Sequence, residues 1–120
     1  MKYLFVLHDA PYGIERTYNG LRWARQMLTP DSYGEDHEVK VFLFGDAAIA
    51  AMAGQKTPDG FYNTGSMIRT LASKGVEIGV CGTCMDGRGM TDEMVVPGAH
   101  RSSMAELGSW TSWADQVVNI

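Results

Sequence analysis

The stretch Val76-Glu77-Ile78-Gly79-Val80-Cys81-Gly82-Thr83-Cys84 joins a mainly apolar run to a glycine-rich segment that ends at Gly89. A short apolar run that stops at a glycine is typical of a strand buried in a parallel sheet. The pattern predicts a strand over residues 76–80 and a loop over residues 81–89. Two earlier runs have the same character and predict strands over residues 3–7 and 39–44.

Helical patterns separate these strands. Apolar residues recur at helical spacing over residues 14–28, and shorter helices are predicted over residues 47–53 and 66–74, the last stopped by Gly75. Strands that alternate with helices predict βαβ units. We therefore expect an α/β fold with a mainly parallel sheet covered on both faces.

The rest of the chain has weaker patterns. Polar loops are predicted over residues 29–36 and 55–65, and residues 90–99 are ambiguous because Pro97 and Gly98 interrupt them. A helix is predicted over residues 101–114, and a final strand over residues 116–120. Since there is no internal repeat or linker, residues 1–120 are expected to form a single domain.

Composition restricts the classes of function. The net charge is −4, and lysine and arginine are scattered without a basic run, so we expect no direct nucleic-acid binding. The N-terminal apolar run is too short for a signal peptide, and no run approaches the roughly 20 apolar residues of a membrane-spanning helix. Two cysteines in such a chain predict no disulfide framework. We expect a cytoplasmic protein with no membrane partner.

Cys81 and Cys84 are the only cysteines, and their C-x-x-C spacing follows a predicted strand directly. Strand ends in an open parallel sheet share one edge, where sites collect. His8, Asp46 and Cys81 each follow a predicted strand and should therefore lie on one rim. His8 would orient or protonate a group there, or would simply be hydrogen-bonded.

Reactivity at Cys81 requires a thiolate. A thiol with an ordinary pKa of ~8.5 is only about 3% ionised at pH 7. Arg88 and the turn amides near Gly82 would lower the pKa of Cys81, while nearby carboxylates such as Asp46 and Asp86 would raise it.

Four interpretations of the C-x-x-C pair remain open. A structural zinc site needs four ligands, and His8, His37 and His100 lack the spacing to complete one, so no metal is expected. A thioredoxin-like dithiol oxidoreductase places its first cysteine where a helix begins, and the neighbouring glycines argue against a helix here. A persulfide carrier needs one exposed thiolate that accepts and passes on sulfane sulfur. The fourth interpretation is a non-catalytic pair in a small binding domain.

Three strings of residues, in order, resemble the DsrE/DsrF-like family and its small YchN-like branch. They are Ala10-Pro11-Tyr12-Gly13, Gly54-Gln55-Lys56, and Cys81-x-x-Cys84-x-Asp86-Gly87-Arg88-Gly89. The resemblance extends over nearly the whole chain. It implies a three-layer α/β/α sandwich with a parallel five-stranded sheet, and homotrimers or homohexamers whose cysteine loops lie near subunit contacts.

The resemblance also implies a site. Better understood members carry sulfur as a persulfide in relay pathways, on a cysteine that matches Cys81, whereas Cys84 is a feature of the YchN-like branch. We predict a sulfane-sulfur carrier or sulfurtransferase-like protein that uses Cys81, with Cys84 assisting or resolving and Arg88 as an electrostatic aid. Its expected partners are copies of itself and sulfur donor and acceptor proteins, and no cofactor is expected. The alternatives are a non-catalytic oligomeric binding protein of the same fold and a dithiol–disulfide oxidoreductase.

Overall fold

A parallel sheet forms the centre of the protein. The structure, a computed structural model, describes residues 1–29, 36–58 and 61–120. Within them the strands are β1 (Lys2–Leu7), β2 (Glu38–Leu43), β3 (Glu77–Cys81), β4 (Ala99–Ser102) and β5 (Gln116–Asn119). Their order across the sheet is β4-β3-β2-β1-β5, and every neighbouring pair is parallel. The predicted α/β fold and five-stranded parallel sheet are confirmed.

The helices connect these strands. They are α1 (Arg16–Gln26), a 3₁₀ helix (Gly45–Ala51), α2 (Thr64–Ser73), α3 (Gly82–Gly87), a short 3₁₀ turn (Asp92–Met94) and α4 (Met104–Trp113). The predicted helix over residues 14–28 is confirmed as α1, although Ile14 precedes it and is half exposed. Residues 30–35 and 59–60, which belong to the two predicted polar loops, lie outside the described residues.

Alternating side chains divide the core between the two faces of the sheet. Phe5, Val41 and Ile78 pack on one face with residues of α1 and α2. Leu4, Val6, Phe42 and Cys81 pack on the other face against Trp110 of α4. Because strand side chains alternate with a period of two, α4 must lie opposite α1 and α2. The three-layer arrangement is confirmed.

The predicted loop over residues 81–89 is wrong, because Gly82–Gly87 form α3. The glycine at position 82 reflects close packing, since an added Cβ would lie 3.0 Å from the Arg101 guanidinium and 3.1 Å from the Ser102 carbonyl oxygen. Met85 is fully buried and anchors the helix. Gly89, at φ +69°, supplies the left-handed residue that ends it. Tertiary packing therefore overrides the low helix propensity of glycine.

The predicted helix over residues 101–114 begins too early. Residues 101 and 102 belong to β4, and α4 starts at Met104, where the Ser103 hydroxyl accepts a hydrogen bond from the Glu106 N–H. β4 is a short edge strand without an apolar run. Residues 99–102 form a strand because they pair with β3, from Ile78↔Ala99 to Cys81↔Ser102.

Among the described residues, no helix has both the length and the apolar character needed to cross a membrane.

Candidate functional site

The carboxyl ends of the three central strands meet on one rim, as the sequence predicted. β1 and β2 end in register at Leu7↔Leu43, and Leu43 in turn pairs with Val80, next to the end of β3. The segments that follow are in contact, because the Ala47 N–H donates to the His8 carbonyl oxygen at 3.2 Å.

Cys81 and Cys84 differ in exposure. Cys81 is the last residue of β3, and its side chain packs on the α4 face with only 5% of the residue exposed. Cys84 lies within α3 and is partly exposed, and both thiols are free. The exposed thiolate expected of a carrier is therefore not found at Cys81.

Hydrogen bonds distinguish the two thiols chemically. Burial acts to raise the pKa of Cys81. Hydrogen bonds from the Cys84 thiol, the Thr83 hydroxyl and the backbone N–H groups of both residues outweigh it, so the pKa is lowered. The Cys81 Sγ to Thr83 Oγ1 distance is 3.3 Å.

For Cys84, burial and the hydrogen bond to Cys81 raise the pKa, and the Gly45 N–H and the Arg88 charge oppose this only in part. The opposite directions of the two shifts favour Cys81 as the thiolate of the pair, with the Cys84 thiol donating a hydrogen bond to it.

Arg88 ties α3 to the 3₁₀ helix. Its Nε and one terminal nitrogen lie 2.9 and 2.7 Å from Asp46 Oδ1, and its other terminal nitrogen donates to the Cys84 carbonyl oxygen at 3.1 Å. Its charge opposes the rise in the pKa of Cys84 but does not cancel it. Arg88 therefore lies at the site, where it acts on the second cysteine and is already paired with a carboxylate.

Arg101 is a site residue that sequence reasoning missed. Its guanidinium group reaches from β4 to α3, where it donates a hydrogen bond to the Gly82 carbonyl oxygen at 3.1 Å. The same group lies 3.0 Å from the Asp86 carboxylate. Its Nε lies 2.6 Å from Asp92. The pairing of Cys81 with Ser102 brings it there, and the sequence offers no sign of that pairing. Thr83 was also missed, although its hydroxyl inside the C-x-x-C motif was a visible signal.

His8 lies on the rim but bonds away from the cysteines. Its Nε2 is 2.5 Å from Asn119 Oδ1 on β5, and its ring stacks on Phe44.

Over residues 1–29, 36–58 and 61–120, no group of three or more histidine, cysteine, aspartate or glutamate side chains is arranged to hold a metal ion.

Two concavities lie elsewhere on the surface, away from the two thiols. A cleft of about 850 Å³ separates α1 from α2 and is lined by residues such as Arg22, Ser66 and Thr70. A second groove, of about 630 Å³, is mainly apolar and is lined by residues such as Ile14 and Phe61. Neither of these two concavities is lined by Cys81, Cys84 or Arg88.

Comparison with known proteins agrees with this architecture. The model of the DsrE/DsrF-like family matches residues 1–120. Protein YchN of Escherichia coli is 35% identical over 117 residues, which cover 98% of this chain and 97% of that protein. The uncharacterized protein MK0008 of Methanopyrus kandleri is 34% identical, over 94% of this chain and 88% of its own. The crystal structure of the E. coli ychN protein superimposes with a TM-score of 0.89 at 33% identity, covering 100% of this chain and 99% of that one.

Proposed function

The chain belongs to the DsrE/DsrF-like family, and from that premise we propose that it carries sulfane sulfur as a persulfide on Cys81. The observation that carries the proposal is the hydrogen-bonded environment of this thiol at the end of β3, which lowers the pKa of Cys81 while the pKa of Cys84 is raised. A thiolate is the form that attacks sulfur.

The loading step is a sulfur transfer without net oxidation. The Cys81 thiolate attacks the outer sulfur of a donor persulfide, R–S–SH, and a Cys81–S–SH persulfide forms as the donor S–S bond breaks and R–S⁻ leaves. An acceptor thiolate then attacks the outer sulfur, and the Cys81 thiolate is the leaving group. The Cys84 thiol assists by donating its hydrogen bond to Cys81 in the unloaded form.

Cys84 also provides a second way to release sulfur. Its thiolate attacks the inner sulfur of the Cys81 persulfide, which forms a Cys81–Cys84 disulfide and expels hydrosulfide. A dithiol reductant must then return both cysteines to thiols.

The test is persulfide loading, followed by intact-mass analysis under non-reducing conditions. The protein is treated with cysteine persulfide, and the gain of one sulfur atom is measured for the unaltered chain and for Cys81→Ser and Cys84→Ser. We expect loading to vanish in Cys81→Ser. In Cys84→Ser we expect loading to persist, with slower release of hydrosulfide. Loading that survives in Cys81→Ser and is lost in Cys84→Ser would show that the roles are reversed.

A dithiol–disulfide oxidoreductase is a second candidate because α3 begins directly after Cys81. That geometry removes the objection drawn from the glycines, since a cysteine before a helix is the thioredoxin-like arrangement. The reaction would form a mixed disulfide at Cys81, which Cys84 resolves. Equilibration in glutathione redox buffers, with the Cys81–Cys84 disulfide measured by mass, distinguishes it: a reversible disulfide without persulfide loading favours the oxidoreductase.

A further inference from the structure

The charged side chains around α3 differ in how exposed they are to solvent. The guanidinium groups of Arg88 and Arg101 contact the helix backbone, at the carbonyl oxygens of Cys84 and Gly82. Their side chains are only 31% and 36% exposed. The carboxylates that pair with them, Asp46, Asp86 and Asp92, are 66%, 66% and 67% exposed. The carboxylate is therefore the more exposed partner in each of these ion pairs.

We call these five side chains, two arginines and three aspartates, the charged shell of α3, and its net charge is negative. Three carboxylates surround two guanidinium groups, and both guanidinium groups already have carboxylate partners. Through their arginine partners these exposed carboxylates lie beside α3, which begins directly after Cys81. Cys81 is itself a thiolate when it is reactive. The net negative charge repels an anionic reactant. Neither arginine is free to bind that anion in place of its hydrating water, because both are paired with carboxylates.

We propose that this shell makes Cys81 selective for neutral or cationic organic persulfides as sulfur donors, and slow with anionic donors such as thiosulfate. The inference rests on the proposed function and names the donor class for the same site. Thiosulfate would release sulfite, a dianion, beside three carboxylates. An organic persulfide with an ammonium group would release a thiolate whose charge that ammonium balances.

The test compares how fast a cationic and an anionic thiol reagent modify Cys81. Neither reagent depends on persulfide chemistry. In Cys84→Ser, where Cys81 is the only thiol, the rates of modification by 2-aminoethyl methanethiosulfonate, a cation, and 2-sulfonatoethyl methanethiosulfonate, an anion, are compared. Each rate is divided by the rate of the same reagent with 2-mercaptoethanol. Peptide mapping gives the same two rates for Cys81 in the unaltered chain.

We expect the normalised rates to favour the cation by roughly tenfold at low ionic strength, and the ratio to approach one in concentrated salt. Asp92→Asn should lower the ratio, because it removes one exposed carboxylate while Asp86 still holds Arg101. The matched control is Glu38→Gln, which removes the same charge from an exposed position at the opposite end of the sheet, at the start of β2. That change should leave the ratio unaltered.

A ratio near one at low salt, or a ratio that Asp92→Asn leaves unchanged, would overturn the inference. Loading from 2-aminoethyl persulfide and from thiosulfate is then compared by intact mass, and the first should be faster by a similar factor. If the reagents discriminate but neither donor loads Cys81, the charge selection stands and the persulfide function fails. If both donors load equally and the reagents do not discriminate, the function stands and the charge selection fails.

Discussion

At the scale of single residues, Thr83 is one of the groups, after Cys84, that make Cys81 easier to ionise. Its hydroxyl lies 3.3 Å from the Cys81 sulfur, and that hydrogen bond helps to lower the pKa of Cys81. Thr83→Val keeps the shape of the side chain and removes the donor. The pKa of Cys81 should therefore rise, and the pH profile of its reaction with iodoacetamide should move up by roughly half a pH unit, given that Thr83 is exposed.

The control for this change is Thr83→Ser, which restores the hydroxyl and should restore the profile. Both variants are compared in the Cys84→Ser background so that one thiol reacts. An identical profile for valine and threonine at this position would remove Thr83 from the site.

Single residues also show where sequence reasoning reached its limit. Cys81 was placed on the rim because the apolar run before it has strand length, and this position is confirmed. Its burial was not foreseen, since it depends on Trp110 of α4, which is 29 positions away in sequence and packs on that face. Arg101 reaches α3 only through the pairing of β4 with β3.

At the scale of secondary-structure elements, the turn before β4 requires glycine. Gly98 has φ +97°, and an added Cβ would lie 2.4 Å from the Ala72 Cβ on α2. Gly98→Ala should reduce the free energy of unfolding by roughly 2–4 kcal/mol, from backbone strain and overpacking together. Urea denaturation followed by far-ultraviolet circular dichroism measures the change.

Gly108 provides the matched control. It lies inside α4, and an added Cβ there would have no neighbour within 4 Å. Gly108→Ala should raise the free energy of unfolding by about 0.5–1 kcal/mol, because alanine is the better helix former. Equal effects at the two glycines would contradict the packing of this turn against α2.

Glu106 connects β4 with α4 and should make this connection sensitive to pH. Burial acts to raise the pKa of Glu106, but hydrogen bonds from Ser102 and His100 outweigh it and the pKa is lowered from its ordinary 4.5. A carboxyl whose pKa is lower in the folded state contributes stability above its unfolded pKa and loses it as the pH falls through the folded value.

Glu106→Gln should therefore lower the free energy of unfolding at neutral pH. The difference from the unaltered chain should shrink as the pH falls from about 4.5, since the unaltered glutamate then becomes neutral too. Denaturation curves at several pH values provide the measurement. A difference that stays constant down to pH 3 would show that Glu106 does not act through its charge.

The elements that sequence reasoning identified have strong local patterns. Strands β1, β2 and β3 are mainly apolar, and the apolar residues of α1 and α2 have helical spacing. The two elements it missed are shaped by tertiary contacts. In α3, Gly82 allows the close approach of β4. The sequence of β4 itself is Ala-His-Arg-Ser, and none of these residues is buried. Periodicity carries no information about either.

At the scale of the whole molecule, the two faces of the sheet are covered unequally. Within the described residues α1 and α2 cover one face, while α4 is the helix whose residues pack on the other. On that second face Val117 of β5, the partner of Leu4, is 46% exposed, and Met104 at the start of α4 is 67% exposed. We expect these exposed apolar side chains to contribute to a contact between subunits.

We therefore expect a homo-oligomer that buries this face. Sedimentation equilibrium at micromolar concentration should give a mass well above the 13.2 kDa of one chain. Val117→Glu should lower the mass, whereas Ile14→Glu, a change at a similarly exposed residue (48%) in the segment before α1, should not. A single 13.2 kDa species for the unaltered chain would refute the assembly.

The strand order also governs what happens while the chain is being made. β1 to β4 pair in the order in which they are synthesised, but the far side of β1 is filled by β5, and the backbone N–H of Lys2 bonds Asp115, 113 positions later. Until β5 has emerged from the ribosome, β1 is a bare, apolar edge that can pair with any other nascent strand. Translation speed and chaperone supply over this interval should therefore govern the yield of folded protein, even where the finished fold is stable.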